Sequence, residues 1–350
     1  MSECPIPVVV IFAPTASGKT ALTRELFCEK GSHFILNAEI ISADSQAVYK
    51  GMDIGTAKPE PSFCAQIPHH LIDVVTPDVQ FSVADFIEMA DKACRNIYGR
   101  GRLPVVCGGT GFYIRNFLFG LPKTPKSNDI IREQLKTRIA AEGNEALYAQ
   151  LMTVDPESAA KIHVNDAYRI CRALEVFYTT GKKRSDCAVE AKLRSDYDFC
   201  FIVLEPVREE LYGRIRERVD LMFERGLLNE VAGLIEAGYT RESPGMKAIG
   251  YSEFFEEIGR GALDLNSLKS ACTVKGTGIG EGGCAAPTSA LEKIREAIKH
   301  HSCKYAKKQY TYIRDIPESQ IIYYNNSEMD LQKIAALVRK FVKEHGFLLT

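Results

Sequence analysis

The chain contains no C-x-x-C pair, although it carries eleven cysteines scattered from Cys4 to Cys303. The odd number argues against a disulfide framework, and the missing pairs exclude a zinc finger. Both absences fit a reducing cytosol. Charge of one sign is lacking too: the formal net charge is −1, so no global basic field advertises a nucleic-acid partner. Any such partner must be held by local patches. Long apolar runs are also scarce. The early run Val8-Val9-Val10-Ile11-Phe12 has no basic flank and leads straight into Gly18-Lys19-Thr20. It reads as a buried strand rather than a signal peptide or membrane span, and a cytoplasmic protein is expected. With 350 residues, 45% hydrophobic and 25% charged, the chain folds around a large core as one big domain or two modest ones.

What is present alternates between strand-like and helix-like patterns. "PVVVIF" is a continuous apolar run of the parallel-sheet kind. A helix from Thr20 puts Leu22, Leu26 and Phe27 on one face and is expected to stop at Gly31. "FILNAEIISAD" reads as a strand ending at Asp44, and "LPVVCGG" as another, after which Thr110 opens a helix. "DFCFIVLEP" and "SQIIYYN" supply later strands. This order predicts an α/β fold, a doubly wound parallel sheet with ligands at the carboxyl ends of its strands.

Between about residues 121 and 198 the strand signal vanishes. A polar linker, "PKTPKSND", precedes helical patterns such as "NDAYRICRALEVFYTTG", for which Asn165 is the expected N-cap and Gly181 the C-terminal stop. The division is therefore 1–120 for the first part of the core, 121–198 for a helical insertion and 199–350 for the rest. Residues 269–289 are glycine-dense and aperiodic, and read as a loop. Their "GTGIGEGG" follows no strand and is not a dinucleotide fingerprint. A long helix is then expected from Ser289, since Ser289 and Glu292 have capping-box spacing. Lys299, Lys304, Lys307, Lys308 and Arg314 interleave with Tyr305, Tyr310 and Tyr312. That pattern suits phosphate contact plus base stacking, with a solvated helix face as the bland alternative.

The chemistry begins at Ala13-Pro14-Thr15-Ala16-Ser17-Gly18-Lys19-Thr20, a Walker-type loop with alanine in the first position. Its backbone amides and the following helix N-terminus make an anion cradle. Lys19 adds a point charge, and Thr20 can hold Mg²⁺. The loop does not name its ligand. No N-K-x-D guanine reader occurs, and the strand-end acid Asp44 opens "DSQAVYKGMDIGTAKP", an unusual continuation for an ATPase.

This stretch resembles the bacterial tRNA dimethylallyltransferases (the tRNA isopentenyltransferase family). Further blocks resemble it in order: "PHHLIDV", "VVCGGTGFYIRNFLFGL", "DAYRICRALEVF", "AIGYSEFF" and "YAKKQYTYIR". The resemblance covers nearly the whole chain apart from the glycine-rich loop. It implies a P-loop NTPase-like core and a cradle that takes the diphosphate of dimethylallyl diphosphate without consuming ATP; a monomer is the default expectation. The prenyl group would pass to N6 of the adenosine just 3′ of the anticodon, a base that must first be extruded. Asp44 would be the general base, with a Mg²⁺-shell or turn aspartate as the alternative. Thr110 would sit at the reacting centre, with a helix N-cap as its alternative. The implied contacts to the tRNA anticodon stem-loop are Asp44, Ser45, Gln46, Ala47, Thr110, Arg132, Tyr168, Arg169, Ile170, Cys171 and Arg172. Lys247, Gly250, Tyr251, Lys307, Lys308, Gln309, Thr311, Tyr312 and Arg314 complete the set. Without the resemblance, Arg172 would simply pair with Glu175. Ala47, Ser252, Lys308 and Tyr312 depart from common family residues, and a lysine at 308 cannot fork onto phosphate as arginine does. The alternatives are an isopentenyltransferase acting on free AMP or ADP, a P-loop small-molecule kinase, and a non-catalytic P-loop RNA-binding module.

Overall fold

The computed structural model describes residues 4–187, 192–266, 268, 285–312, 321–324 and 328–349. Six strands form one sheet: β1 (Ile6–Phe12), β2 (Ala38–Ser42), β3 (His69–His70), β4 (Leu103–Gly108), β5 (Tyr197–Leu204) and β6 (Ile321–Tyr324). Their order is β3-β2-β4-β1-β5-β6, and every pairing is parallel. The twelve described α-helices are α1 (Lys19–Phe27), α2 (Pro61–Gln66), α3 (Val83–Gly99), α4 (Gly111–Phe119), α5 (Asp129–Val154), α6 (Pro156–Lys161), α7 (Ala167–Thr180), α8 (Arg208–Glu224), α9 (Leu227–Glu236), α10 (Ser252–Gly259), α11 (Ala285–Gln309) and α12 (Glu328–Glu344).

Parallel pairing requires crossovers, which cover both faces of the sheet. The central strand is therefore apolar throughout rather than alternating. Val8 to Phe12 are completely buried. One face packs Val9, Ile11, Val105 and Ile202 with Leu22, Leu26, Ile334 and Val338 in a single cluster.

By contacts the chain divides into two units, Leu118–Arg194 and the remainder. The smaller unit contains no strand among its described residues and has its own core of Leu135, Leu147, Leu151, Ile170 and Leu174.

Three local expectations are corrected. Helix α1 ends at Phe27, four residues before Gly31, because Cys28 turns extended and the Ile35 amide comes back to the Leu26 carbonyl at 2.9 Å. The N-cap of α7 is Asp166 rather than Asn165, its Oδ1 accepting from the Arg169 amide at 3.1 Å. Helix α11 begins at Ala285, so Ser289 lies inside it and caps nothing. Pro287 falls in its first turn, where a helix tolerates proline. The glycine-rich stretch 269–284 and Arg314 lie outside the described residues.

Candidate active site

Strand order brings three carboxyl ends together. The loop after β1 binds to the end of β4, with the Ala13 amide 3.2 Å from the Gly108 carbonyl. The end of β2 does the same, with the Ala43 amide 2.9 Å from the Cys107 carbonyl. The approach is so close that a Cβ on Gly108 would lie 2.1 Å from the Ala43 oxygen. Glycine is required there, and the Gly-Gly-Thr block is a packing solution before it is anything else.

The loop has the backbone of an anion cradle. Ala16 and Gly18 take left-handed conformations, φ 60° and 93°, and α1 starts directly after Gly18. The Lys19 ammonium donates to the Ala13 and Pro14 carbonyls at 2.9 and 2.8 Å. Burial pushes its pKa down to about 8, against the pull of Cys107 and Asp44, and Arg218 lowers it further. The Ser17 hydroxyl is buried without a partner. A cation held below its ordinary pKa beside a buried, unanswered hydroxyl suits a bound anion.

Asp44 follows β2. Its Oδ1 accepts from the amides of Gln46 at 2.8 Å and Ala47 at 3.3 Å, and neither bond uses Oδ2. The turn-aspartate reading is thus present in the geometry, yet it leaves an oxygen for other work. The Thr110 hydroxyl accepts from the Ser45 amide at 2.9 Å and reaches the Ser45 hydroxyl at 3.3 Å. It ties the end of β4 to the Asp44 turn.

The loop and Asp44 share one cavity of about 530 Å³, lined by Thr15 to Thr20, Asp44 to Ala47, Gly108, Gly109, Lys247, Gln309 and two residues outside the expected site set. The first is Arg218, which donates to the Thr15 hydroxyl at 2.6 Å. Burial lowers its pKa and the Asp44 charge raises it. A signal existed: Leu211, Ile215, Val219 and Met222 form the buried stripe of α8, and Arg218 interrupts that stripe at helical spacing. The second is Tyr305, set beside Thr110 and Gln309. Burial, and then the Asp44 charge, push its phenol up to about 12.

Around this cavity the basic helix behaves as two parts. Lys299 is engaged by Asp220 at 2.9 Å and Glu296 at 3.0 Å. Lys304, Lys307 and Lys308 are exposed, with no ion pair among the described residues. Gln309 is buried and donates to the Gly109 carbonyl. Tyr310 packs edge-on against Phe12 and bonds the Leu204 carbonyl at 3.2 Å, so it is structural. Thr311 is exposed and Tyr312 half-buried beside Phe112.

The other expected contacts differ in their burial. Tyr251 is fully buried with its hydroxyl on Glu230, and Gly250 is buried beside it. Ala47 is 4% exposed. In the helical unit, Ile170 and Cys171 face its core, while Tyr168 and Arg169 are exposed. Arg172 pairs with buried Glu175 at 2.9 Å and donates to the Pro125 carbonyl at 2.7 Å. Arg132 bonds the Ser127 hydroxyl.

Among the described residues no group of three or more His, Cys, Asp or Glu side chains could hold a metal. The donors present fit Mg²⁺ in a different way. Thr20, exposed on the cavity wall, offers one hydroxyl, and a diphosphate and water would supply the rest. No helix among the described residues is long and apolar enough to cross a membrane.

An anion cradle, two half-buried cations and a strand-end carboxylate in one cavity define a P-loop type of α/β enzyme. The comparisons narrow the class. A family model described as IPP transferase matches residues 47–316. The tRNA dimethylallyltransferase of Geobacter sulfurreducens is 38% identical over 95% of this chain and 96% of its own. That of Bacillus velezensis is 41% identical over 88% of each. Among solved structures, a full-length tRNA isopentenylpyrophosphate transferase from Bacillus halodurans aligns with TM-score 0.62 and 31% identity, covering 97% of both chains. A eukaryotic dimethylallyltransferase acting on tRNA aligns with TM-score 0.76 and 27% identity, covering 97% of this chain and 80% of its own. The chain belongs to the IPP transferase family.

Proposed function

We propose that this enzyme is a tRNA dimethylallyltransferase, moving the dimethylallyl group of dimethylallyl diphosphate to N6 of the adenosine 3′-adjacent to the anticodon. The observation that carries the reading is the shared cavity: the diphosphate cradle and Asp44 open into the same space of about 530 Å³. That volume suits a small donor and one extruded base. Membership of the IPP transferase family supplies the reaction class.

In the transfer, the bond from the allylic carbon to the diphosphate oxygen breaks and the bond from N6 to that carbon forms. Lys19, Arg218 and the loop amides stabilise the negative charge that grows on the departing diphosphate. Mg²⁺, when bound at Thr20, supplies further charge neutralisation. The adenine amine must lose a proton as it attacks, and Asp44 Oδ2 takes it. Thr110 holds the Asp44 turn and stands beside Tyr305 at the reacting centre.

For tRNA, the supporting groups are Ser45, Gln46, Lys247, Lys307, Lys308, Gln309, Thr311 and Tyr312 in the larger unit, and Arg132, Tyr168, Arg169 and Arg172 in the helical unit. Exposed lysines suit phosphate, and Tyr168 suits stacking. The enzyme acts as a monomer.

The test is transfer of label from dimethylallyl diphosphate to unmodified tRNA with Mg²⁺ and no ATP. Label on the adenosine beside the anticodon is expected. Label on free AMP alone, or transfer that needs ATP, contradicts the proposal.

A further inference from the structure

Glu230 makes an unusual set of contacts for a side chain outside the phosphate loop. It lies on α9 and reaches a segment about 175 residues earlier in the chain. Its Oε2 accepts from the amides of Asp53 at 2.8 Å and Ile54 at 2.7 Å. Its Oε1 accepts from the Gly55 amide at 3.0 Å and from the Tyr251 hydroxyl at 2.6 Å. Three successive backbone N–H groups converging on one centre form an anion nest, and here the anion is part of the chain.

The two segments that meet on this carboxylate are each held locally as well, the first by Lys58 on Asp53 and Asp73 at 2.6 Å, the second by Glu253 on the Gly250 amide at 2.9 Å, but the Glu230 carboxylate is what bonds to both. Neither belongs to a strand. Their contact is tight: a Cβ on Gly55 would lie 2.6 Å from the Tyr251 ring. Gly250, at φ +98°, packs against the Gly55 backbone. Burial, followed by the negative charge of Glu230, raises the Tyr251 phenol well above its ordinary pKa, so it remains a donor. From this knot both segments run directly into the cavity. Gly55 to Pro59 line one part of its wall and Lys247 to Ile249 another. None of the four bonds reaches the phosphate-type loop.

We propose that Glu230 is a positioning residue of the transfer reaction, clamping the Gly55–Pro59 and Lys247–Ile249 walls together so that acceptor and donor meet in reactive geometry. The inference rests on the function proposed above. Glu230 touches no substrate. It acts through the walls it holds, and its loss should be felt in turnover rather than in diphosphate affinity, which the cradle supplies separately. A displacement of about 1 Å at a reacting centre costs on the order of 10²-fold.

Glu230→Gln tests this. Glutamine keeps one acceptor oxygen and turns an amide donor toward N–H or O–H groups, so part of the nest goes unanswered. Label transfer to tRNA is measured together with the affinity for dimethylallyl thiolodiphosphate, an unreactive donor analogue. Amide hydrogen exchange at Asp53, Ile54 and Gly55 is followed in parallel. The expected result is kcat lowered by roughly 10–100-fold, analogue affinity within about 3-fold, and faster exchange confined to the three amides and their neighbours. Tyr251→Phe, which removes one bond of four, should give a smaller fall in kcat of the same kind.

Unchanged kcat despite accelerated exchange would show that the clamp is structural only and overturn the inference. Equal losses in kcat and analogue affinity, with exchange accelerated throughout the protein, would reduce it to general instability and also overturn it. A wild-type protein that transfers no label would instead bring down the function proposed above, and the positioning role with it. Failure of the one is thereby told apart from failure of the other.

Discussion

The two units carry their functional residues in different ways. In the larger unit three of the chemical groups are fixed by backbone near strand ends: Lys19 by the Ala13 and Pro14 carbonyls, Asp44 by two amides of its own turn, Thr110 by the Ser45 amide. In the helical unit all but Arg132 of the corresponding residues stand on one amphipathic helix, and rotation about its axis decides their fate. Tyr168 and Arg169 face outward, Ile170 and Cys171 inward, and Arg172 is partly occupied by Glu175. A motif dictated by backbone geometry carries over residue by residue. A motif that is a stretch of helix mixes contacts with core.

The largest effect that sharpens this contrast is expected at Arg218. Arg218→Ala removes one of the cations serving the leaving diphosphate and should lower kcat by about 10²–10³-fold while the fold survives. An activity within a few-fold of wild type would remove Arg218 from the site. In the helical unit the order of effects reverses. Arg172→Ala leaves the buried Glu175 carboxylate short of its partner and should cost about 1–3 kcal/mol of stability, read as a lower denaturant midpoint. Arg169→Ala, on an exposed side chain, should leave that midpoint unchanged and weaken tRNA binding. Equal stability losses for the two would erase the distinction drawn between them.

A pH effect belongs to the cradle alone. Lys19, lowered by burial to about 8, is charged below that pH, and a bound diphosphate favours its charged form. Diphosphate affinity should therefore be level at lower pH and fall as pH rises through about 8. A binding profile flat to pH 10 would mean that Lys19 is not the cation involved. One effect does not separate the two units: tRNA affinity should decline steeply with salt as lysines and arginines release counterions. Salt-insensitive binding would contradict the proposed contacts.

How much of this was legible in sequence follows the same division. The sheet, its loop and the Asp44 turn were readable because apolar runs, glycine spacing and strand-end acids follow from backbone constraints. Element boundaries were less so. The α1 end depends on Ile35 returning to Leu26, and the α11 start on a turn containing Pro287, neither of which leaves a periodic signal. Arg218 was missed because a single cation in an amphipathic helix looks like surface, although its place in the Leu211–Met222 stripe marks it as facing inward. Tyr251 was read as a tRNA contact because its motif is a site motif. Its ring is instead wholly buried against Gly55, a tertiary contact that sequence spacing does not encode.

The central claim is that the cradle and Asp44 divide the reaction between leaving group and nucleophile. Single-turnover label transfer by Asp44→Asn, with donor-analogue and tRNA affinities measured on the same protein, tests it most directly. The account predicts transfer slowed by about 10²–10⁴-fold, the range for a positioned base, with both affinities nearly unchanged. Transfer at close to the wild-type rate would contradict it.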